Sequence, residues 1–162
     1  MSYSVKEIYL TLQGEGFHTG KHAVFCRFSG CNLWTGLEKD REKAVCTFCD
    51  TDFVGTDGVN GAKYSSAELL AEMIDELWPK DFKEKLVVFT GGEPLLQLNK
   101  ELIDLLHTKK FKIAVETNGT IMPPENIDWI CVSPKKGSKF KLNYGNELKL
   151  VYPQEDLKPE LF

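Results

Sequence analysis

Three cysteines lie close together in a stretch of polar and turn residues. Cys31 is followed by fourteen residues, Cys46, two further residues and Cys49. A structural zinc site normally uses four protein ligands, whereas three ligands leave one position for water, substrate or a cofactor. An iron–sulfur cube held by three cysteines likewise keeps one iron without a protein ligand. The spacing therefore predicts a metal centre with one open position.

The chain has two further cysteines, and both have apolar surroundings. Cys26 lies in the run 24–28 and Cys131 in the run 130–132. Free cysteine is among the most buried residue types, so we expect these two to be buried core thiols. The odd total of five cysteines, with no secretory signal at the N-terminus, argues against a disulfide framework.

The elements that must position the cysteines are predicted by short apolar runs, each followed by polar residues or glycines. The runs are 5–12, 23–29, 86–89, 113–115, 127–132 and 147–151, and the residues at their ends include Arg27, 90–94, Glu116 and 133–136. Amphipathic patterns predict helices over 65–78 and around 102–106. Strands alternating with helices favour parallel pairing with right-handed crossovers.

We therefore predict an α/β fold, a partial (β/α) barrel of about six parallel strands. About six strands are too few to close an eight-stranded barrel. The C-terminal ends of parallel strands meet at one edge, where α/β proteins place their chemistry. We expect the loop with the three cysteines, and the polar residues named above, to lie at that edge.

Composition limits the remaining possibilities. A length of 162 residues with 42% apolar residues suits one domain. The net charge of −4 does not favour a polyanion, so we expect no direct contact with nucleic acid. Neither a signal peptide nor an apolar run long enough to span a bilayer is present, so we expect no membrane association and a cytoplasmic protein.

Several motifs, in the correct order, resemble those of a known enzyme family. Residues 25–34 and 46–53 resemble the cluster loop of the radical S-adenosylmethionine (SAM) enzymes, and Gly-Gly-Glu-Pro at 91–94 resembles their second motif. Leu-Gln-Gly-Glu-Gly at 12–16 resembles the opening of the 7-carboxy-7-deazaguanine synthases, which include members with this widened cysteine spacing. The resemblance extends from about residue 7 to about residue 151.

The resemblance implies both a reaction and its cofactors. The family converts 6-carboxy-5,6,7,8-tetrahydropterin into 7-carboxy-7-deazaguanine with release of ammonia, a lyase step toward queuosine in tRNA and other 7-deazapurines. A [4Fe-4S] cluster on Cys31, Cys46 and Cys49 would cleave SAM to a radical that takes hydrogen from the pterin, and SAM would be regenerated. Mg²⁺, a homodimer and an electron donor such as a flavodoxin or ferredoxin are also implied.

Individual site residues follow from the same resemblance. It implies SAM contacts from Phe48, Cys49, Asp50, Gly92, Ser133, Pro134 and Lys135, and substrate contacts from Leu12, Gln13, Gly14, Arg27 and Thr90, which Glu15 could join. Thr51 would bind Mg²⁺, although hard oxygen chemistry by itself favours Asp50 or Asp52. No general acid or base is assigned.

Other interpretations of several residues stay open. Arg27 suits the substrate carboxylate or a surface ion pair, and Glu116 suits a ribose hydroxyl or an ion pair. Roles for His18, His22 and His107 are not assigned.

Two alternative functions also stay open. A glycyl-radical activase would share the cluster and glycine motifs but would not use residues 12–15 or Arg27 for a pterin. A zinc module would take Cys26 or His22 as its fourth ligand. Because family members usually run some tens of residues longer, we interpret 1–162 as a single radical SAM domain without a C-terminal tail.

Overall fold

A seven-stranded sheet forms the centre of the computed structural model, which describes residues 1–154 and 157–162. The strands are β1 (Tyr3–Leu12), β2 (His22–Phe28), β3 (Ala62–Tyr64), β4 (Lys85–Gly91), β5 (Phe111–Thr117), β6 (Trp129–Val132) and β7 (Glu147–Leu148). Their order in the sheet is β3-β1-β2-β4-β5-β6-β7. Strands β2, β4, β5, β6 and β7 run parallel, whereas β1 is antiparallel to both β2 and β3.

Two helices cover one face of the sheet. They are α1 (Ala67–Glu76) and α2 (Lys100–Thr108). Each helix is preceded by a residue whose side chain accepts a hydrogen bond from a backbone N–H of the first turn. This residue is Ser66 before α1 and Asn99 before α2. Serine and asparagine are preferred at this position because the first N–H groups of a helix lack partners within it. Buried leucines and isoleucines, among them Leu70, Ile74 and Ile103, pack the helices onto the strands.

Side-chain alternation divides the central strands between two faces. On β4, Val87 and Phe89 belong to the core beneath the helices, whereas Leu86 and Val88 belong to a smaller cluster on the opposite face. Because successive side chains of a strand point to opposite faces, Thr90 continues the second face at the C-terminal end of β4. That second face leads to the edge where the functional site was predicted.

The sheet is open, as predicted, and its parallel part is one strand smaller than expected. Strand β1 is antiparallel because a short connection, residues 13–21, joins it to β2, and a parallel pair would need a longer crossover. Strand β7 has only two residues instead of the predicted 147–151. The polar segment between the first two cysteines contains one 3₁₀ helix, Glu38–Lys43, with no buried residue. Within the described residues, no helix has the length and apolar character that a membrane span requires.

Candidate active site

The three cysteines line one cavity at the C-terminal ends of the parallel strands. This three-cysteine cavity has a volume of about 380 Å³, and Cys31, Cys46 and Cys49 contribute to its wall. The other lining residues include Glu15, Phe48, Asp50, Thr51, Thr90, Gly92, Glu116, Ser133, Lys135 and Lys149. Loops and strand ends that are far apart in sequence therefore meet at the C-terminal edge of the parallel strands, where the site was predicted.

Two of the cysteines interact directly. The thiol of Cys46 donates a hydrogen bond to Cys49, which lowers the pKa of Cys49 to about 6 and raises the pKa of Cys46. Burial raises the pKa of Cys31, although the backbone N–H of Leu33 lies 3.4 Å from its sulfur and favours the thiolate. Thiolates are the metal-binding form of cysteine, and soft ligands of this kind suit iron–sulfur clusters and zinc.

The described part of the chain contains no ready-made site for a single metal ion. Among residues 1–154 and 157–162, no three His, Cys, Asp or Glu side chains converge as a mononuclear site requires. A multi-iron cluster places its cysteine ligands on different iron atoms, so its ligands need not converge. The suggested fourth zinc ligands lie elsewhere, because Cys26 is buried in the core under the helices and the ring of His22 packs 4.2 Å from that of Phe82.

Gly92 brings the end of β4 against the cysteine loop. A Cβ atom at this position would lie 2.6 Å from the Cβ of Cys31 and would also collide with the carbonyl oxygen of Gly30. The next residue, Glu93, donates its backbone N–H to the same Gly30 carbonyl at 3.0 Å. Glycine is therefore required here by close approach of two backbone segments, and it fixes the position of Cys31.

Glu93 has a structural role that the sequence did not indicate. Its side chain is fully buried. It accepts hydrogen bonds from the Thr117 hydroxyl at 2.7 Å and from the backbone N–H groups of Asn118 at 2.8 Å and Leu95 at 3.0 Å. Burial raises the pKa of this carboxyl group. Glu93 thus ties the end of β4 to the end of β5.

Arg27 forms an ion pair, which is one of the two interactions that the sequence allowed for it. Its Nε lies 2.8 Å from a carboxylate oxygen of Glu7 on the neighbouring strand β1. The parallel register also places Arg27 beside Thr90, which lines the three-cysteine cavity. Arg27 itself is not among the residues that line the cavity. An ion pair with Glu7 holds its guanidinium on the side of the sheet that faces the site.

The connection 13–21 brings two of its polar residues to the same face. The amide of Gln13 lies 3.2 Å from a carboxylate oxygen of Glu116. Lys149 pairs with Glu15 at 2.5 Å and with Glu116 at 3.5 Å. Lys149 was not predicted as a site residue. It lies just after β7, at the same C-terminal edge as the site residues that were predicted at the ends of the other parallel strands. Leu12 and Gly14, also predicted as substrate contacts, are exposed and do not line the cavity.

The oxygen-rich segment after Cys49 is divided between two environments. Asp50 and Thr51 line the three-cysteine cavity, and the Thr51 hydroxyl forms a hydrogen bond with Cys49. Asp52 instead forms an ion pair with Lys6 at 2.8 Å. Of the two carboxylates that oxygen chemistry alone favoured as Mg²⁺ ligands, Asp52 is therefore already paired with a cation.

The residues after β6 are also divided. Ser133 and Lys135 line the cavity, and the ammonium group of Lys135 donates to the Ser133 carbonyl at 2.7 Å and hydroxyl at 2.6 Å. Pro134, between them, does not line it.

The remaining cysteines and the histidines lie away from the three-cysteine cavity. Cys26 and Cys131 are buried, as predicted, and burial raises the pKa of Cys131 to about 12. His18 packs against Trp129, His22 against Phe82, and His107 lies 3.0 Å from Asp128. None of these five side chains lines the cavity.

Comparison with known families defines the class of protein. Residues 41–134 match the family model of the Radical SAM superfamily. This range begins within the cysteine loop and ends just after β6, so it includes Cys46, Cys49 and the glycine motif at the end of β4. The resemblance stated from the sequence motifs is confirmed.

Individual relatives identify the family within that class. The chain is 61% identical over its full 162 residues to 7-carboxy-7-deazaguanine synthase from Bradyrhizobium diazoefficiens and 62% identical to that from Caulobacter vibrioides, in each case covering 77% of the relative. The crystal structure of QueE from Escherichia coli superposes with a TM-score of 0.65 at 29% identity. That match covers 86% of this chain and 62% of the other. The chain therefore belongs to the 7-carboxy-7-deazaguanine synthase family.

Proposed function

We propose that this chain converts 6-carboxy-5,6,7,8-tetrahydropterin into 7-carboxy-7-deazaguanine with release of ammonia, as a lyase of queuosine and 7-deazapurine biosynthesis. The observation that carries the proposal is the three-cysteine cavity, in which three thiols and the ends of β4, β5 and β6 line one space. Membership of the 7-carboxy-7-deazaguanine synthase family supplies the reaction.

Cys31, Cys46 and Cys49 would hold a [4Fe-4S] cluster. The donor set fits, because it consists of three soft ligands that line one cavity. Three ligands leave one iron open for SAM. When bound, the cluster and SAM supply the one-electron chemistry, and the protein's part is to bind, orient and exclude water.

The residues proposed to orient SAM surround the cysteines. They are Phe48, Cys49, Asp50, Gly92, Ser133, Pro134 and Lys135, and all except Pro134 line the cavity. Gly92 lines the cavity at the end of β4, where its backbone groups would meet a ligand. The Lys135 ammonium is held by two oxygens of Ser133, which places a positive charge at the cavity wall.

Residues of β2, β4 and the connection 13–21 are proposed to bind the pterin. Arg27 would bind its carboxylate, since a guanidinium presents a planar pair of donors. Thr90 and the amide of Gln13 would contact the heterocycle, together with Leu12, Gly14 and Glu15. The support for this is that Thr90 lines the cavity and that Gln13 and Glu15 contact Glu116 and Lys149 at its edge.

Thr51 is proposed as the protein ligand of Mg²⁺. Its place at the cavity wall beside Cys49 supports this, and Mg²⁺ characteristically keeps waters and substrate oxygens beside one or two protein ligands. We further propose a cytoplasmic homodimer with residues 1–162 in a single radical SAM domain, reduced by a flavodoxin or ferredoxin.

Mass spectrometry of an anaerobic reaction tests the proposal. The reaction would contain reconstituted protein, SAM, Mg²⁺, a reductant and carboxytetrahydropterin, with the Cys49→Ala variant as a matched control. We expect carboxydeazaguanine over many turnovers with the natural chain and none with the variant. Release of 5′-deoxyadenosine without carboxydeazaguanine would contradict the proposed substrate.

A further inference from the structure

Arg41 connects the segment between the first two cysteines to the turn that carries the other two. It lies in the exposed 3₁₀ helix Glu38–Lys43. Its Nη1 donates to the carbonyl oxygen of Thr47 at 2.9 Å and to that of Cys49 at 3.0 Å. One guanidinium nitrogen therefore holds two carbonyl groups of the Cys46–Cys49 turn.

The guanidinium is itself held by other side chains. Its centre lies 4.2 Å from the ring of Trp34, which is buried and packs edge-on against Phe53 at 5.7 Å. Its Nε lies 2.8 Å from both carboxylate oxygens of Glu38. A cation over an aromatic ring and a carboxylate pair are both favourable for arginine. Arg41 is thus fixed between a buried ring and an acidic side chain.

These contacts matter for the geometry of the turn. Residues 46–50 belong to no helix or strand, so their carbonyl groups have no regular backbone partners. Holding the carbonyls of Thr47 and Cys49 from one point restricts how far the turn can open. The conformation of this turn determines the separation of the Cys46 and Cys49 thiols. Lysine could not reproduce the whole arrangement, because its one nitrogen cannot occupy the positions of both Nη1, which holds the carbonyls, and Nε, which pairs with Glu38, and it has no planar group to stack on Trp34.

We propose that Arg41 is a positioning residue that holds the Cys46–Cys49 turn in the conformation that binds the cluster. The inference rests on the proposed function, in which these cysteines hold the cluster. It also suggests a role for the widened spacing between Cys31 and Cys46. The additional residues include Arg41, whose side chain stabilises the turn that follows. Removing such an outer contact of a metal site typically weakens metal binding by about 10–100-fold.

The test compares Arg41→Gln and Arg41→Lys with the control Lys43→Ala, in full-length chains reconstituted anaerobically. Lys43 lies in the same 3₁₀ helix and has no side-chain hydrogen bond or ion pair within the described part of the chain. The first readout is the rate at which iron is lost to a chelator. The second is the midpoint potential of the cluster, followed by electron paramagnetic resonance. Circular dichroism checks that each variant is folded.

We expect Arg41→Gln to lose iron at least about tenfold faster than the natural chain, Arg41→Lys to be intermediate, and Lys43→Ala to match the natural chain. The potential should fall in Arg41→Gln, because a positive charge that stabilises the reduced cluster is lost. If Arg41→Gln has the same rate of iron loss and the same potential as Lys43→Ala, the inference is overturned while the proposed function stands. A natural chain that binds no iron or sulfide would instead overturn the proposed function and, with it, this inference.

Discussion

Replacing Gly92 by alanine is the sharpest test of how the site is positioned. The added methyl would lie 2.6 Å from the Cβ of Cys31 and would collide with the carbonyl oxygen of Gly30. The backbone of Gly92 is not in the left-handed region, so alanine causes no conformational strain of its own. The loss of stability therefore comes from the forced separation of β4 and the loop that carries Cys31.

The structure gives the size of that effect. Carbon atoms in contact normally lie 3.5–4.0 Å apart, so the two segments must separate by about 1 Å. Overpacking of this kind costs about 1–3 kcal/mol. For a chain of this length, about 2 kcal/mol lowers the melting temperature by roughly 4–8 °C. A displacement of about 1 Å at a reacting centre also lowers kcat by about 100-fold.

The assay measures thermal unfolding by circular dichroism and kcat for carboxydeazaguanine formation in Gly92→Ala. Gly14→Ala serves as the control for stability only, because no atom lies within 4 Å of a Cβ at that position. We expect the melting temperature to fall in Gly92→Ala and to stay unchanged in Gly14→Ala. A Gly92→Ala chain with the stability and kcat of the natural chain would refute the close-approach argument.

Two further substitutions test the proposed ligands. Arg27→Lys should weaken substrate binding by about 10–100-fold, the value of about one hydrogen bond to a charged group, while the iron content stays unchanged. Calorimetry with the pterin checks this, and unchanged affinity would remove Arg27 from the substrate site. Thr51→Ala should abolish the dependence of turnover on Mg²⁺ concentration, because the protein ligand is lost; an ordinary Mg²⁺ response in steady-state kinetics would remove Thr51 from the metal site.

Much of the fold follows from local patterns in the sequence. The apolar runs at 86–89 and 113–115 and the amphipathic helices are encoded by neighbouring residues, so periodicity identified them. The antiparallel pairing of β1 was not anticipated, because it depends on how the connection 13–21 turns the chain. The short length of β7 was also missed, since the apolar residues after Leu148 continue past the last pairing with β6.

The site shows a similar division. The three cysteines and Gly92, which line one cavity, were predicted to lie together because their types and spacing are specific. Glu93 and Lys149 were not assigned roles, because their partners lie on other strands and no spacing rule connects them. The ion pair between Lys6 and Asp52 likewise joins distant segments, so the sequence did not show that Asp52 is paired with a cation.

The central claim is that Cys31, Cys46 and Cys49 hold an iron–sulfur cluster with an open iron. Iron, acid-labile sulfide and zinc should be measured per chain after anaerobic preparation, for the natural protein, for alanine variants of the three cysteines and for Cys131→Ala. We predict about four iron and four sulfide in the natural chain and a large loss of both in each of the three variants. Cys131→Ala should keep the iron and sulfide content of the natural chain. Zinc without iron or sulfide, or equal loss in Cys131→Ala, would contradict the claim.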